Sequence, residues 1–132
     1  PAGDVWLYEA STRILIAGHL VTLPAPFFAT ACASGWSAAM AELEAVPFET
    51  LVPGHGAPMG RAAFGRYRAA FGQLLDCAAG DAQAQACIDG WLDGVGPLVP
   101  AAEQPLARML LEYYLAQVLR GDPAPVHKAC TG

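Results

Sequence analysis

Weak alternation of apolar and polar residues opens the chain and gives way to a continuous apolar run. Residues 4–10 are rich in β-forming side chains and predict a strand. A Ser-Thr connection follows, and residues 13–17 predict a second strand that is apolar enough to be buried on both faces. We expect Gly18 and His19 to end this second strand, so that the two strands form a hairpin.

The apolar positions that follow change from strand-like runs to helical spacing. Residues 20–33 contain two prolines and predict an apolar loop. Ser34 predicts the N-cap of a helix that ends before Pro47, with an apolar stripe of Trp36, Met40, Leu43 and Val46. Residues 49–52 predict a short strand that enters the glycine-rich turn of residues 53–56.

Three further helices are predicted in the second half of the chain. Residues 61–78, 82–93 and 103–120 carry apolar side chains at helical spacing, and Gly121 stops the last of these helices. The element order predicts a layered α/β structure followed by a helical extension. We divide the chain into a partial α/β region at 1–78, a helical extension at 79–122 and a loose tail at 123–132.

The composition of the 132-residue chain excludes two classes of protein and suggests a third, which we test. Hydrophobic residues make up 55% of the chain and charged residues only 14%, which excludes a disordered protein. The net charge of −5 argues against a nucleic-acid partner. Residues 14–41 carry no charge, but glycines, prolines and a histidine interrupt them short of the ~20 apolar residues that a spanning helix needs. We therefore predict no membrane span.

Two of the three histidines are candidates for chemistry. His19 and His55 each follow a glycine directly after a predicted strand, where loops of α/β proteins commonly hold their ligands. The alternative is that each imidazole caps a turn or binds a backbone carbonyl. His127 lies in the tail, where we expect it to be solvated rather than a ligand.

The two Gly-His sites and their spacing resemble a known pattern. The segments GDVWLY at 3–8, RILIAGH at 13–19 and LVPGHG at 51–56 closely resemble the C-terminal half of the metallo-β-lactamase superfamily. The resemblance covers roughly residues 1–68. It implies the C-terminal half of an αββα sandwich, here followed by the helical extension. It also implies that His55 is the last metal-ligand histidine of the family's site.

The resemblance departs from the family at His19. Most members have an aspartate at this place, and it bridges two metal ions. A carboxylate offers two oxygens for bridging, whereas a neutral imidazole offers one lone pair. His19 is therefore an altered ligand, and a single zinc ion, a different ligand set and the absence of metal all remain open.

The family's His-x-His-x-Asp-His motif is absent from this sequence. Because zinc sites take three or four protein ligands, His19 and His55 supply two at most. The resemblance therefore implies a fragment of a zinc-dependent hydrolase that is inactive alone, with one or two zinc ions and a small-molecule substrate in the intact protein. The alternative is a non-catalytic scaffold or interaction domain that has lost its metal site.

The four cysteines form no Cys-x-x-Cys pair. Cys77 and Cys87 lie at the facing ends of two predicted helices, and we predict a disulfide between them. Such a bridge predicts a periplasmic or secreted protein, while two buried thiols in a cytosolic protein are the alternative. The pairing of Cys32 and Cys130 is left open.

Two apolar regions have no assigned role at this stage. Phe27 and Phe28 follow the candidate metal-site strand, where they either line a pocket or pack in the core. A half-sandwich also leaves one apolar sheet face without cover. We therefore expect either the missing N-terminal half or a second copy of the chain as a partner.

Overall fold

The described part of the chain is a mixed α/β structure, as predicted. The computed structural model describes residues 4–28 and 32–121. These residues form a three-stranded sheet and four α-helices. The strands are β1 (Leu7–Glu9), β2 (Ile14–Thr22) and β3 (Thr50–His55). The helices are α1 (Ala33–Ala45), α2 (Arg61–Ala79), α3 (Ala84–Val95) and α4 (Gln104–Tyr114), and a π-helical turn (Leu115–Leu119) follows α4.

The sheet has the strand order β1-β2-β3. β1 and β2 form the predicted antiparallel hairpin, in which Leu7 lies opposite Ile16. β2 and β3 are parallel, with Leu15 opposite Leu51, and α1 makes the crossover that a parallel pair requires. The carboxyl ends of β2 and β3 therefore lie side by side.

The prediction that Gly18 and His19 end the second strand is wrong. β2 continues through both residues to Thr22, and β3 continues to His55 rather than ending at residue 52. The pairing shifts register at Gly18, whose φ of +55° is readily adopted only by glycine. The glycine therefore makes an irregularity inside the strand instead of a break.

The prediction that β2 is buried on both faces is also wrong in its first half. Leu15 and Ala17 are buried, whereas the intervening Ile16 is 46% exposed. Side chains alternate across a strand, and around the first half of β2 the hydrophobic core covers only one face of the sheet. Val5, Leu7 and Ile16 are all exposed and alternate with buried or half-buried residues. We call these three residues the open sheet face.

The helices match the predicted pattern except at their ends. α1 buries the predicted Trp36, Met40 and Leu43, but its N-cap is Cys32, and Ser34 lies inside the first turn. No side-chain oxygen caps this helix, so the predicted Ser34 cap is wrong. The last predicted helix changes to the wider π-helical turn after Tyr114.

One continuous core joins the sheet to all four helices. Phe28, Trp36 and Phe71 pack ring against ring with centroids 5.5–5.6 Å apart, and Tyr114 from α4 meets Phe28 at 5.8 Å. The predicted boundary between residues 78 and 79 falls at the end of α2, whose side chains pack against those of α3 on the other side of that boundary.

Two arginines bind the carbonyl ends of helices. Arg61 donates to the carbonyl oxygens of Glu44 and Val46, both at 2.8 Å, and thereby ties the end of α1 to the start of α2. Arg120 donates to the carbonyl oxygens of Cys77 and Ala78, both at 2.9 Å. Both guanidinium groups thus donate to carbonyl oxygens at the C-terminal ends of helices, where the intrahelical hydrogen-bond pattern stops.

The predicted disulfide between Cys77 and Cys87 is confirmed, and it joins the end of α2 to α3. No helix in residues 4–28 and 32–121 is long and apolar enough to cross a bilayer. The predictions for His127, Cys130 and the tail lie outside the described residues.

Candidate functional site

The two candidate histidines lie together at the carboxyl end of the parallel strand pair. The ring centroids of His19 and His55 are 5.6 Å apart, and their planes differ by only 7°. Both side chains are exposed. The two histidines are 36 residues apart in sequence, but the fold places their imidazoles next to each other. A small ligand can reach both of them from solvent.

A glycine next to His55 permits this approach. A Cβ atom at Gly54 would lie 2.7 Å from the carbonyl oxygen of Gly18 and 3.0 Å from Cδ2 of His19. Those distances are shorter than real Cβ contacts, so position 54 has no room for a side chain. The glycine before His55 therefore has a steric role in bringing the two imidazoles together.

Backbone and indole hydrogen bonds hold the segment that follows β2 against this site. The N–H of Leu23 donates to the carbonyl oxygen of His55 at 3.0 Å. The Thr22 hydroxyl donates to the carbonyl oxygen of Ala25 at 2.9 Å, and Nε1 of Trp91 donates to that of Pro24 at 2.9 Å. The segment is thus anchored both to β3 and to α3.

The two phenylalanines on this segment have different environments, and the core alternative is confirmed for Phe28. Phe28 is 1% exposed and packs in the core against Trp36 and Phe71. The half-buried Phe27 packs at the edge of the core and also contacts the histidines, with its ring centroid 5.1 Å from that of His55 and 6.0 Å from that of His19.

A buried tyrosine supports the same strand without offering acid–base chemistry. The hydroxyl oxygen of Tyr67 accepts a hydrogen bond from the N–H of Thr22 at 3.3 Å. Complete burial raises the pKa of Tyr67 far above its ordinary range, because the phenolate would lose its hydration. Tyr67 therefore stays neutral at physiological pH, and we assign it a positioning role.

Sequence reasoning missed the supporting roles of Tyr67 and Trp91. Both residues occur at helical spacing in apolar segments, so the pattern indicates core residues only. The single available signal is chemical: a buried hydroxyl or indole N–H needs a hydrogen-bond partner. Which partner it finds depends on contacts distant in sequence.

The ligand set of the histidine pair is incomplete within the described residues. In 4–28 and 32–121, no group of three or more His, Cys, Asp or Glu side chains is placed to hold a metal ion. A closed zinc site takes four ligands, and a catalytic one takes three protein ligands and a water. Within the described residues, the two histidines are therefore fewer than the ligands that such a site needs.

Comparisons with known proteins add no relative of this chain. No protein-family profile, no curated protein and no solved structure matches it. The features that bear on function are therefore the sequence motifs and the geometry of His19, His55 and Phe27.

Proposed function

We propose that this chain is the C-terminal part of a zinc-dependent hydrolase of the metallo-β-lactamase superfamily, with His55 and His19 as metal ligands. The observation that carries the proposal is the close, parallel placement of two exposed imidazoles at the ends of paired strands. Imidazole nitrogens are common zinc ligands, and the Gly-His motifs supply both of them.

The topology and the open sheet face support the proposed αββα sandwich. A hairpin, a crossover helix and a parallel strand occur in the order that the resemblance implies. Leu7 and Ile16 are 62% and 46% exposed, on a sheet whose opposite face packs in the core with the helices. A second layer of structure, from the rest of the intact protein or from a second copy, would bury this face.

Within the proposed site, each chain residue has a limited task. His55 and His19 would each donate one nitrogen lone pair to the metal, and Gly54 permits their close approach. Phe27 contacts both imidazoles through its tilted ring and places an apolar surface beside them. Zinc, when bound, acts as a Lewis acid and activates water for attack on an electrophilic carbonyl or phosphorus centre.

Metal analysis of the intact gene product tests the proposal. We expect bound zinc in the purified protein. We expect His55→Ala and His19→Ala each to lower the zinc content about tenfold or more, because each variant removes one metal ligand and no neighbouring side chain replaces it. His127→Ala is the matched control and should retain the wild-type content. A zinc-free protein that is unchanged by His55→Ala would contradict the proposal.

The 132-residue chain gives a second test of the ligand count. Since two imidazoles make only part of a zinc site, we expect its zinc dissociation constant to exceed micromolar in isothermal titration calorimetry. Sub-micromolar 1:1 binding would show that the chain itself completes the site and would overturn the count.

A second candidate function is a non-catalytic scaffold or interaction domain. The incomplete ligand set and the histidine in place of the family's aspartate favour it. The two candidates differ in the metal content of the intact protein. The Cys77–Cys87 disulfide supports a periplasmic or secreted location under either of them.

A further inference from the structure

Phe27 is a half-buried apolar side chain that packs against the edge of the core and also contacts the imidazole pair. Its neighbour Phe28 is 1% exposed among aromatic core residues, so the chain divides two adjacent rings between two environments. The ring centroid of Phe27 lies within 6.0 Å of both imidazole centroids. Phe27 thus forms one side of the site that His19 and His55 define.

The backbone segment that carries this ring is anchored both before and after it. The backbone before it is anchored by the Leu23 bond to the His55 carbonyl and by the Trp91 bond to the Pro24 carbonyl. The next residue, Phe28, is anchored by its own packing against Phe71 in the core. A ring held in this way is a preformed surface, and a ligand that packs on it pays little cost for ordering it.

We infer that Phe27 sets the substrate class of the proposed hydrolase, selecting substrates with an apolar alkyl or aryl group beside the bond that is cleaved. This inference rests on the proposed function, because it takes the imidazole pair as the place where the reacting group binds. An alkyl chain that lies against the exposed side of the ring loses contact with water, which favours binding. A charged group at the same place would lose hydration and gain only contact with the apolar Phe27 ring, which disfavours binding.

The inference can be tested with two carboxylates that differ only in alkyl length. We would titrate acetate and hexanoate into the 132-residue chain, with and without added Zn²⁺, and follow the imidazole C–H resonances of His19 and His55 by NMR. We expect hexanoate to bind about tenfold more tightly than acetate, because contact with the ring buries part of its additional methylene groups.

Substitutions at Phe27 assign this preference to the ring. Phe27→Ala should make the two carboxylates bind within twofold of each other, whereas Phe27→Leu should retain most of the preference because it keeps an apolar surface. Tyr113→Ala, which removes an exposed aromatic ring on α4, is the matched control and should leave the preference unchanged.

Two results would overturn the inference: equal binding of acetate and hexanoate to the unaltered chain, or a hexanoate preference that survives Phe27→Ala. The zinc arm reports separately on the proposed function. Millimolar Zn²⁺ that leaves the His19 and His55 resonances unmoved would contradict the metal site, whatever the carboxylates do.

Discussion

At the scale of single residues, a carboxylate organises the hairpin turn between β1 and β2. Glu9 accepts hydrogen bonds from the hydroxyl and backbone N–H groups of both Ser11 and Thr12. These bonds lower the pKa of Glu9 from 4.5 to about 2, because they stabilise the ionised form. The bond from the Thr12 hydroxyl has the largest effect, followed by that from the Ser11 hydroxyl. The tight Ser-Thr connection is predictable from sequence, but the carboxylate that closes it depends on a rotamer that the pattern does not specify.

Glu9 therefore links the stability of the hairpin to pH. Its pKa is lower in the folded chain than in the unfolded chain, so its contribution is complete above pH 4.5 and is lost as the pH falls towards 2. We expect Glu9→Gln to reduce the fall in unfolding free energy between pH 5 and pH 2.5, measured by urea denaturation. Glu112→Gln, on exposed α4, is the control. An undiminished fall in Glu9→Gln would contradict this role.

At the scale of elements, the pairing of β2 with β3 sets features of the fold that the sequence alone does not predict. Existence and order of the strands and helices follow from hydrophobic spacing. The continuation of β2 through Gly18 and His19 does not, because it depends on a partner strand that begins at Thr50. The close approach at Gly54 is equally invisible in the sequence, where Pro-Gly-His-Gly indicates only a turn.

Gly54→Ala tests the strand approach that brings the histidines together. Its Cβ would meet backbone atoms of Gly18 at 2.7–2.8 Å, so we expect a loss of about 1–3 kcal/mol in unfolding free energy, typical of overpacking. Weaker contact between the His19 and His55 rings should accompany it, seen as fewer nuclear Overhauser effects.

A matched glycine makes the Gly54 test specific. A Cβ at Gly72, inside α2, would meet nothing within 4 Å. Gly72→Ala should therefore raise the unfolding free energy by about 0.5–1 kcal/mol through helix propensity. If Gly54→Ala were as stable as the unaltered chain, the steric role of Gly54 would be disproved.

At the scale of the whole molecule, the helices of the second half support the site. The Trp91 indole on α3 reaches the Pro24 carbonyl across 67 residues of sequence. The sequence predicts α3 as part of a helical extension, because the spacing of apolar residues within α3 does not indicate a contact with residue 24. The uncovered apolar sheet surface, in contrast, can be predicted from composition. The chain has more apolar residues than the predicted layers can bury, and such an excess does not depend on any particular contact.

We predict that the chain self-associates through the open sheet face. We expect Leu7→Thr/Ile16→Thr to weaken association of the chain at least tenfold in sedimentation velocity, because it removes two apolar side chains that are 62% and 46% exposed. Leu106→Thr/Met109→Thr is the matched control, since these α4 residues are similarly exposed at 44% and 60%. Equal effects from both pairs would refute a specific role for the sheet.

Two indole hydrogen bonds, one to the end of β2 and one to the segment after it, also give the molecule an intrinsic optical reporter. Nε1 of Trp36 donates to the carbonyl oxygen of Leu20 at 2.7 Å, as Trp91 does to that of Pro24. Both rings are buried, and their emission responds to the polarity and hydrogen bonding around them. A ligand that displaces the backbone near His19 should alter tryptophan fluorescence, so events at the imidazole pair can be followed without a label.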